Sequence, residues 1–349
     1  MFTPPRCPYR ACPQHRSPAR GFYRRHGSYR VRCRPRPVPR FRCRTCGRTF
    51  SRQTFRADYY DHRPDLNAPL IELLASGIGL RQSGRLLRLS YPSVEAKFRK
   101  LARHVRRVHL NLQGRLPEGR VLQLDELETY EGERNTRPLS VPVLIDRDSR
   151  YIIWSEAATI RPRGKMTPNR IRRIERADAK HGRRRDNSRR SLLRSLRRGA
   201  ELLRGHRWVV LETDEKSIYP GLAREVLGRD RLLHRTTNSR SPRTTLNPLF
   251  PINHTDAMAR DGLGRLRRES WLASKKRRYL DLGLQIYAAW KNLVRPRFNG
   301  EYQSPAALLG WIPRSLRPGE VLSWRQDWGR DSIHPLSRGS GLVRGWLAA

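Results

Sequence analysis

One short pattern occurs twice in this chain and limits what the chain can fold into: an apolar segment that ends in an acidic pair. Residues 121–126 read VLQLDE, and residues 209–215 read VVLETDE. Short apolar runs of this length, bounded by polar residues, are typical of buried strands. We therefore expect two interior strands of one sheet, with Asp125 and Asp214 at the points where the strands end.

The segments around these strands predict a mixed α/β sheet flanked by helices. Residues 139–160 contain two β-rich runs joined by the turn-forming residues 146–149, so three consecutive strands, antiparallel, open the domain. Leucines at helical spacing from about residue 188 precede the second acidic strand, and a helix, a strand at 231–237 and long helical patterns over 254–294 follow it. This order is the layout of a ribonuclease-H-like fold, in which the first and fourth strands lie side by side.

Two carboxylates that meet at the ends of neighbouring strands are suited to hold divalent metal ions. Mg²⁺ (or Mn²⁺) prefers oxygen ligands, and substrate phosphates complete its coordination shell. Such ions activate a water or a 3′-hydroxyl and stabilise the leaving oxygen at a phosphodiester. We therefore predict that Asp125 and Asp214 are catalytic metal ligands, with Glu126 and Glu215 outside the coordination shell.

The charge balance indicates what kind of substrate is bound. Lys and Arg total 74 while Asp and Glu total 31, which gives a formal net charge of +43. A chain this positive repels itself unless a polyanion is bound, and binding to that polyanion weakens as the salt concentration rises. A codon bias toward Arg explains a high Arg count but not the scarcity of acidic residues. DNA or RNA is the expected partner.

A membrane partner is not expected. No run approaches the ~20 apolar residues of a membrane span, and the first residues lack the apolar core of a signal peptide. All five cysteines lie before residue 47, and such clustering is more typical of metal binding in a reducing compartment than of a disulfide framework. We expect a cytoplasmic protein associated with the nucleoid.

Residues 1–57 contain too little apolar sequence to fold alone, so a bound metal is expected to stabilise them. Cys43 and Cys46 form a C-x-x-C knuckle, and Cys7 and Cys12 form a looser pair. Four thiolates at these spacings can hold one structural Zn²⁺ tetrahedrally, which predicts a zinc ribbon. The alternative is a disordered basic arm. Three other side chains are possible substitutes among the ligands: Cys33, His15 and His26.

Residues 62–110 predict a helical DNA-binding domain. Apolar residues recur at helical spacing in three short segments, with Gly77 ending the first and Pro92 near the start of the third. Three short helices of which the third is basic are typical of a helix-turn-helix, although a plain three-helix bundle gives the same pattern. Three residues of the third helix are expected to contact DNA: Arg99, Lys100 and Arg103.

The catalytic domain is expected to span residues 118–311. Within it, residues 161–206 form a strongly basic insert, whose first part is either a disordered arm or a solvated face. Residues 312–349 are rich in Gly and Arg and are expected to form a basic, mostly irregular tail. The chain therefore divides into two small N-terminal domains, one larger domain and a tail.

Several of these segments resemble the transposases of the insertion-sequence-one type and their relatives. The resemblance is carried by LQLDELETY at 122–130, LETDEKSIYPGL at 211–222, the stretch 250–276 and the ribbon end CRTCGRTFS at 43–51, within a span of about 5–310. It implies an N-terminal zinc ribbon, a helix-turn-helix and an Asp-Asp-Glu catalytic domain. It further implies cut-and-paste or copy-out strand transfer with Mg²⁺ or Mn²⁺, on terminal inverted repeats and target DNA, by a homo-oligomer.

The third acidic ligand is where this chain departs from the family pattern. Matching the basic stretch of the family to residues 260–275 places Asn253 at the position of the Glu. Asn can bind Mg²⁺ through its carbonyl oxygen, and related transposases tolerate it there. Asp256 lies about one helical turn further on and is the alternative that restores the missing negative charge. Glu269 and Asp281 are later options on the same helical stretch.

The basic residues of this helical stretch either clamp DNA phosphates or form a solvated face. Trp271, Tyr287 and Trp290 share helical spacing and are predicted to be core residues rather than platforms for base stacking. The basic residues in question are Arg260, Arg265, Arg268, Lys275 and Lys276.

The sequence predicts a metal-dependent DNA transposase, which is a polynucleotidyl transferase of a mobile element. Two alternatives share much of the pattern: a non-enzymatic zinc-ribbon and helix-turn-helix protein with a degenerate catalytic domain, and a metal-dependent nuclease or resolvase on the same fold. The transposase differs from the non-enzymatic protein in that Asp125, Asp214 and a third ligand converge in space. It differs from a nuclease in that it joins a cut DNA end to new DNA.

Overall fold

An antiparallel sheet of three strands forms the first part of the protein. The structure, a computed structural model, describes residues 2–267 and 270–324. The buried core of this small sheet contains four phenylalanines and three cysteines, which is little apolar surface for a free-standing unit. The zinc-ribbon assignment stays a prediction and depends on a bound metal. The strands are β1 (Tyr23–Tyr29), β2 (Val38–Cys43) and β3 (Thr49–Ser51).

Three helices follow, close to where the sequence predicts them. They are α1 (Asn67–Ala75), α2 (Leu80–Leu87) and α3 (Tyr91–Leu112). After α1 the chain turns at Gly77, whose φ of 81° is a left-handed conformation that favours glycine. The C-terminal half of α3 buries Val105 and Val108, whereas residues 91–93 in its first turn are exposed. Most of α3 is therefore a core helix, and the helix-turn-helix assignment remains a prediction.

A mixed sheet lies at the centre of the protein. Its strands are β4 (Val121–Tyr130), β5 (Pro138–Asp146), β6 (Ile152–Ser155), β7 (Ala158–Thr159), β8 (Val209–Asp214) and β9 (Leu232–Thr237). The order across the sheet is β6-β5-β4-β8-β9, with β7 beside β5. β4 runs antiparallel to β5 and parallel to β8, and β8 runs parallel to β9. The two acidic strands are thus neighbours, as a ribonuclease-H-like arrangement requires.

Helices cover both faces of this sheet. The helices after α3 are α4 (Pro168–His181), α5 (Ser188–Leu202), α6 (Ile218–Leu227), α7 (Phe250–Gly262), α8 (Arg277–Leu293), α9 (Pro305–Leu308) and α10 (Pro318–Ser323). Alternate residues of β5 point to opposite faces: Leu144 joins the core with α5 and α6, while Val143 and Ile145 join the core with α7 and α8. The result is a mixed sheet sandwiched between helices, consistent with the predicted fold class.

The N-terminal helices pack directly onto the central domain through α3 and α8. The rings of Phe98 and Tyr279 stack with their centroids 6.2 Å apart. Further along, the amide of Asn292 hydrogen-bonds the His109 ring at 2.8 Å and also bonds both backbone groups of Ile152 on β6. Helix α3 is therefore tied to the central sheet by buried polar as well as apolar contacts.

One local expectation is wrong. The helical pattern over 254–294 is interrupted between α7 and α8, and there Trp271 is 94% exposed instead of buried. The helical spacing of Trp271, Tyr287 and Trp290 predicted burial for all three, but residue 271 is not in a helix, so the spacing does not apply to it.

In the basic insert, residues 168–181 form α4, of which no residue is buried, as the solvated-face alternative expects. In the tail, residues 318–323 form α10, next to the buried Trp324, and residues 325–349 lie outside the described residues.

Among the described residues, no helix is long and apolar enough to cross a membrane.

Candidate active site and cysteine cluster

The parallel pairing of β4 with β8 brings the two predicted aspartates to one edge of the sheet. Leu124 lies opposite Thr213 at the end of the β4–β8 pairing, so the next residues, Asp125 and Asp214, lie side by side where the two strands part. Asp214 ends β8, but Asp125 lies within β4, which continues to Tyr130 paired with β5, so the expectation that both aspartates end their strands is wrong for Asp125. Both line one cavity with a volume of about 400 Å³. Carboxyl ends of parallel strands are where open α/β sheets bind their ligands.

Helix α7 brings the other two predicted site residues, Asn253 and Asp256, to the same cavity. The start of α7 is anchored by Gln123 on β4, which is fully buried. The Gln123 side-chain amide donates to the Pro248 carbonyl at 2.8 Å, and its oxygen accepts from the Ile252 amide at 2.9 Å. Because a helix start leaves backbone amides without partners, this bond satisfies one of them and fixes where α7 begins.

The three aspartates interact electrostatically. Burial raises the pKa of Asp125, and the negative charge of Asp214 raises it further. Burial raises the pKa of Asp256 well above its usual range, and the charge of Asp125 adds to this effect. Like charges in a poorly hydrated site disfavour one another's ionised forms. A bound cation would remove this penalty, since it favours the ionised form of each carboxylate.

The donor set of the cavity fits a divalent cation of the Mg²⁺ class. Carboxylate and amide oxygens are the ligands that such hard cations prefer. The Oδ1 atom of Asp256 is buried and has no hydrogen-bond partner among the described residues, as expected of an oxygen reserved for an ion. In the described part of the chain, however, only the four cysteines form a tight group of metal-ligand atoms. The three aspartates thus share the cavity, but their carboxylates are not gathered as closely as the four thiols are.

Glu126 lines the cavity but is held by its own partners. Its carboxylate forms an ion pair with Lys216 and accepts a hydrogen bond from the Tyr219 hydroxyl at 3.0 Å. The Ser140 hydroxyl also donates to it. Glu215, in contrast, is exposed. That neither residue belongs to the coordination shell stays a prediction.

Sequence reasoning missed the loop between β9 and α7. Residues 238–247 of this loop contribute five side chains to the cavity wall, and the positive charge of Arg243 lowers the pKa values of Asp125 and Asp256. The sequence offered little indication of this role, because a segment rich in Asn, Ser and Pro predicts only a connecting loop. The five side chains are Asn238, Ser239, Ser241, Arg243 and Asn247.

The predicted DNA-binding residues after α7 divide between two places. Arg260 lines the aspartate cavity and donates to the carbonyls of Glu128 and Leu266. Arg265 and Lys275 instead line a second cavity, of about 550 Å³, between the N-terminal helices and α8. Arg268 and Glu269 lie outside the described residues. The basic residues therefore do not form one continuous helical face.

The predicted DNA-binding residues of α3 have different surroundings. Arg99 forms an ion pair with Glu95 and donates to the Tyr279 hydroxyl at 2.9 Å. Lys100 is half-buried and donates to a backbone carbonyl in the segment before α1, and burial lowers its pKa. Arg103 is exposed. Of these three side chains, Arg103 is presented most openly to solvent.

Asp281, an alternative third ligand, does not line the aspartate cavity. Its carboxylate accepts from the Ala157 amide at 2.8 Å and pairs with Arg277 at 3.1 Å. Burial raises its pKa to about 6. It ties α8 to the edge of the sheet, a structural position, so Asn253 and Asp256 remain the candidates that share the cavity with Asp125 and Asp214.

The four predicted zinc ligands lie together. The Sγ atoms of Cys7, Cys12, Cys43 and Cys46 are all within 4.8 Å of one another, and two pairs are 3.7 and 3.8 Å apart. A tetrahedral Zn²⁺ with Zn–S bonds of ~2.3 Å requires sulfur–sulfur distances of about 3.8 Å, so the four thiols fit this ion. Cys33 lies elsewhere, with its thiol directed at the Asp61 carbonyl.

The knuckle explains why one thiol of the cluster ionises easily. Burial opposes ionisation of Cys43, but the backbone amides of Cys46 and Thr45 donate to its sulfur, and together these effects lower its pKa to about 7. Burial raises the pKa values of Cys7 and Cys12. A Zn²⁺ ion would supply the positive charge that four thiolates at this spacing require.

Comparison with known proteins adds little to this geometry. No protein-family model and no curated protein matches the sequence. One solved structure with some similarity is the catalytic domain of the Mos1 mariner transposase, at 16% sequence identity and a TM-score of 0.23, over 55% of this chain and 89% of that chain. No conclusion about this chain rests on a similarity of that size.

Proposed function

We propose that this chain is a DNA transposase that cleaves phosphodiester bonds at the ends of a mobile element and joins them to target DNA. The observation that carries the proposal is the shared cavity: Asp125, Asp214 and Asp256 come from β4, β8 and α7 and line one cavity in a basic protein of charge +43. Acidic side chains in so basic a protein repel its DNA substrate unless a cation lies between them. A site that binds divalent metal ions resolves this conflict.

The roles of the residues follow from their positions. Asp125 and Asp214 would hold the metal from the point where β4 and β8 part, and Asp256 would supply the third carboxylate, with Asn253 one turn earlier on the same helix. When bound, Mg²⁺ or Mn²⁺ would activate the attacking oxygen and stabilise the leaving oxygen. Glu126, held by Lys216, would fix the part of β4 next to Asp125. Arg260 and Arg243 line the same cavity and face the phosphates of the scissile strand.

The other parts of the chain bind DNA and assemble on it. The cysteine cluster forms a zinc ribbon at residues 1–57, and the helices of residues 62–110 form a helix-turn-helix that recognises terminal inverted repeats through Arg99, Lys100 and Arg103. Catalysis is assigned to residues 118–311. Joining two element ends to one target requires a homo-oligomer on DNA, in the cytoplasm and associated with the nucleoid.

The test measures cleavage and strand transfer by the purified full-length chain. The substrate is labelled DNA that carries this reading frame's own flanking sequences, incubated with a target plasmid in Mg²⁺ or in chelator. We expect cleaved and joined products only with Mg²⁺. Asp125→Asn, Asp214→Asn and Asp256→Asn are each expected to lower the rate at least about 100-fold, because each removes several kcal/mol of metal-dependent stabilisation.

Asp230→Asn is the matched control, because Asp230 is exposed and lies outside the cavity. Its activity should equal that of the wild type. Full activity of the Asp125 and Asp214 variants would contradict the assigned roles. DNA binding by the wild type without cleavage would instead establish the non-enzymatic alternative, and cleavage without joining would establish a nuclease.

A further inference from the structure

A second cavity lies between the N-terminal helices and the central domain. We name it the helical cleft; α1, the turn after it, α2 and the first half of α3 line one side, and residues within 263–265, 271–276 and 279–286 line the other. Its volume is about 550 Å³. Its floor is apolar, since Leu74, Phe98 and Ile286 are at most 7% exposed. None of the residues assigned to the metal site lines it, so it is separate from the aspartate cavity.

The walls of the helical cleft are cationic. Among the described residues that line it, five are basic and none is acidic. Four of the five lie at the exposed rim. Basic walls of one sign attract an anionic ligand and exclude a cationic one. The five residues are Arg81, Arg85, Arg265, Lys275 and Lys276.

Arg265 is the cation that lies deepest in the cleft. Its guanidinium is 5.6 Å from the ring centroids of both Phe98 and Tyr279. Its hydrogen bond goes to the hydroxyl of Ser274 at 3.2 Å, not to a carboxylate. A guanidinium that is held against aromatic rings and has no acidic partner among the described residues keeps donors for a ligand such as phosphate.

Aromatic rings stand at the rim of the cleft. Trp271 is 94% exposed, although burying a Trp ring is one of the larger apolar gains available to a protein. The ammonium of Lys275 lies 5.8 Å from the Trp271 ring. On the opposite wall the guanidinium of Arg81 lies 5.3 Å from the ring of the exposed Tyr91. Each rim thus presents a flat ring next to a cation.

We propose that the helical cleft binds one unpaired nucleotide of DNA, with its base stacked on Trp271 and its phosphate on Arg265 and Lys275. Exposed aromatic rings beside cations are how proteins hold single-stranded nucleic acid. The cleft suits one nucleotide, because clefts of roughly 300–1,000 Å³ enclose small molecules, whereas a duplex is far larger. The choice of DNA as the ligand rests on the proposed function. An extruded nucleotide at a cut or distorted end has this chemistry.

The test compares two DNA probes on the full-length protein. One is a fluorescein-labelled blunt duplex, and the other is the same duplex with a single-stranded overhang of three nucleotides. The wild type is expected to bind the overhang probe more tightly. Trp271→Ala is expected to weaken binding of the overhang probe about 5- to 100-fold, the loss that one base–aromatic stack represents, and to leave the blunt duplex unchanged. Lys275→Ala should also weaken binding of the overhang probe.

Trp208→Ala is the matched control, because Trp208 is also exposed, at 60%, and also lies beside an arginine, but does not line the cleft. Both affinities should stay at the wild-type level in this variant. Equal losses for the two probes, or no loss in Trp271→Ala, would overturn the proposal and leave the cleft to a protein partner. Tighter binding of free dAMP than of the overhang probe would also overturn it.

Failure of this proposal is distinguishable from failure of the proposed function. Asp125→Asn is expected to keep the preference for the overhang while losing cleavage. An overhang preference that depends on Trp271 in a protein that never cleaves DNA would support the cleft and reject the transposase. Cleavage without any preference for the overhang probe would support the proposed function and reject nucleotide binding in the helical cleft.

Discussion

Single residues decide the chemistry of the aspartate cavity. Asn253 and Asp256 lie about one turn apart on α7, and both line the cavity, but their environments differ. Asp256 is 6% exposed with a buried oxygen that has no partner in the described structure, whereas Asn253 is only partly buried. A buried carboxylate without a partner costs free energy in the absence of a cation, so its presence favours Asp256 as the third ligand.

A different buried residue links stability to pH. His104 on α3 is 1% exposed, and its Nε2–H donates to the Val321 carbonyl at 3.0 Å. Burial lowers the pKa of His104 from 6.5 to about 4, so the folded protein holds this ring neutral. The lowered pKa means that its contribution to stability is complete above pH 6.5 and is lost as the pH falls toward 4.

His104→Gln tests this link, since a Gln amide can donate to the same carbonyl but does not titrate. Between pH 7 and pH 4 the wild type is expected to lose up to about 3 kcal/mol more of its free energy of unfolding than the variant, given 1.36 kcal/mol per pKa unit. Urea unfolding at the two pH values measures the difference. Equal losses in both proteins would show that His104 is not held neutral.

At the scale of elements, pairing and anchoring place the site. The sequence predicted that Asp125 and Asp214 would be neighbours because strand order determines which strand ends meet, and the register of β4 and β8 agrees. The placement of α7 was not predictable, because it depends on two hydrogen bonds of the Gln123 side chain. Nothing in the sequence distinguishes this polar residue from any other within an apolar strand. The same limit applies to Trp271, since spacing along the chain cannot show where a helix is interrupted.

We expect the stability of the three-stranded sheet with its cysteine cluster to depend on a bound metal. We expect one Zn²⁺ per chain by elemental mass spectrometry, and loss of amide hydrogen-exchange protection in β1 to β3 after chelation. Cys43→Ser should remove both the zinc and the protection, because three thiolates bind structural zinc less well than four.

Cys33→Ser is the control for this prediction, because the Cys33 thiol is directed at the Asp61 carbonyl and lies outside the cluster. It should retain a full equivalent of zinc. A wild-type protein that is protected in β1 to β3 while free of zinc would show that the aromatic core is sufficient.

The whole molecule joins an N-terminal helical region to the central sheet. The sequence separates these parts near residue 115, but α3 packs against α8 through Phe98 and Tyr279 and reaches β6 through Asn292. Such contacts between distant segments cannot be inferred from periodicity, which reports only that a face is apolar. Because of these contacts, the helical cleft and the aspartate cavity belong to one packed unit. A nucleotide bound in the cleft, as proposed, would therefore be held in a fixed position relative to the aspartate cavity.

The central claim is that Asp125, Asp214 and Asp256 together hold divalent metal. Anomalous diffraction from crystals grown with Mn²⁺ locates the ion directly, in the wild type and in Asp125→Asn. We predict one or two Mn²⁺ peaks, about 4 Å apart if there are two, among these three carboxylates in the wild type and none there in the variant. Mn²⁺ that binds elsewhere on the protein, or that remains in the cavity of the variant with undiminished occupancy, would contradict the account.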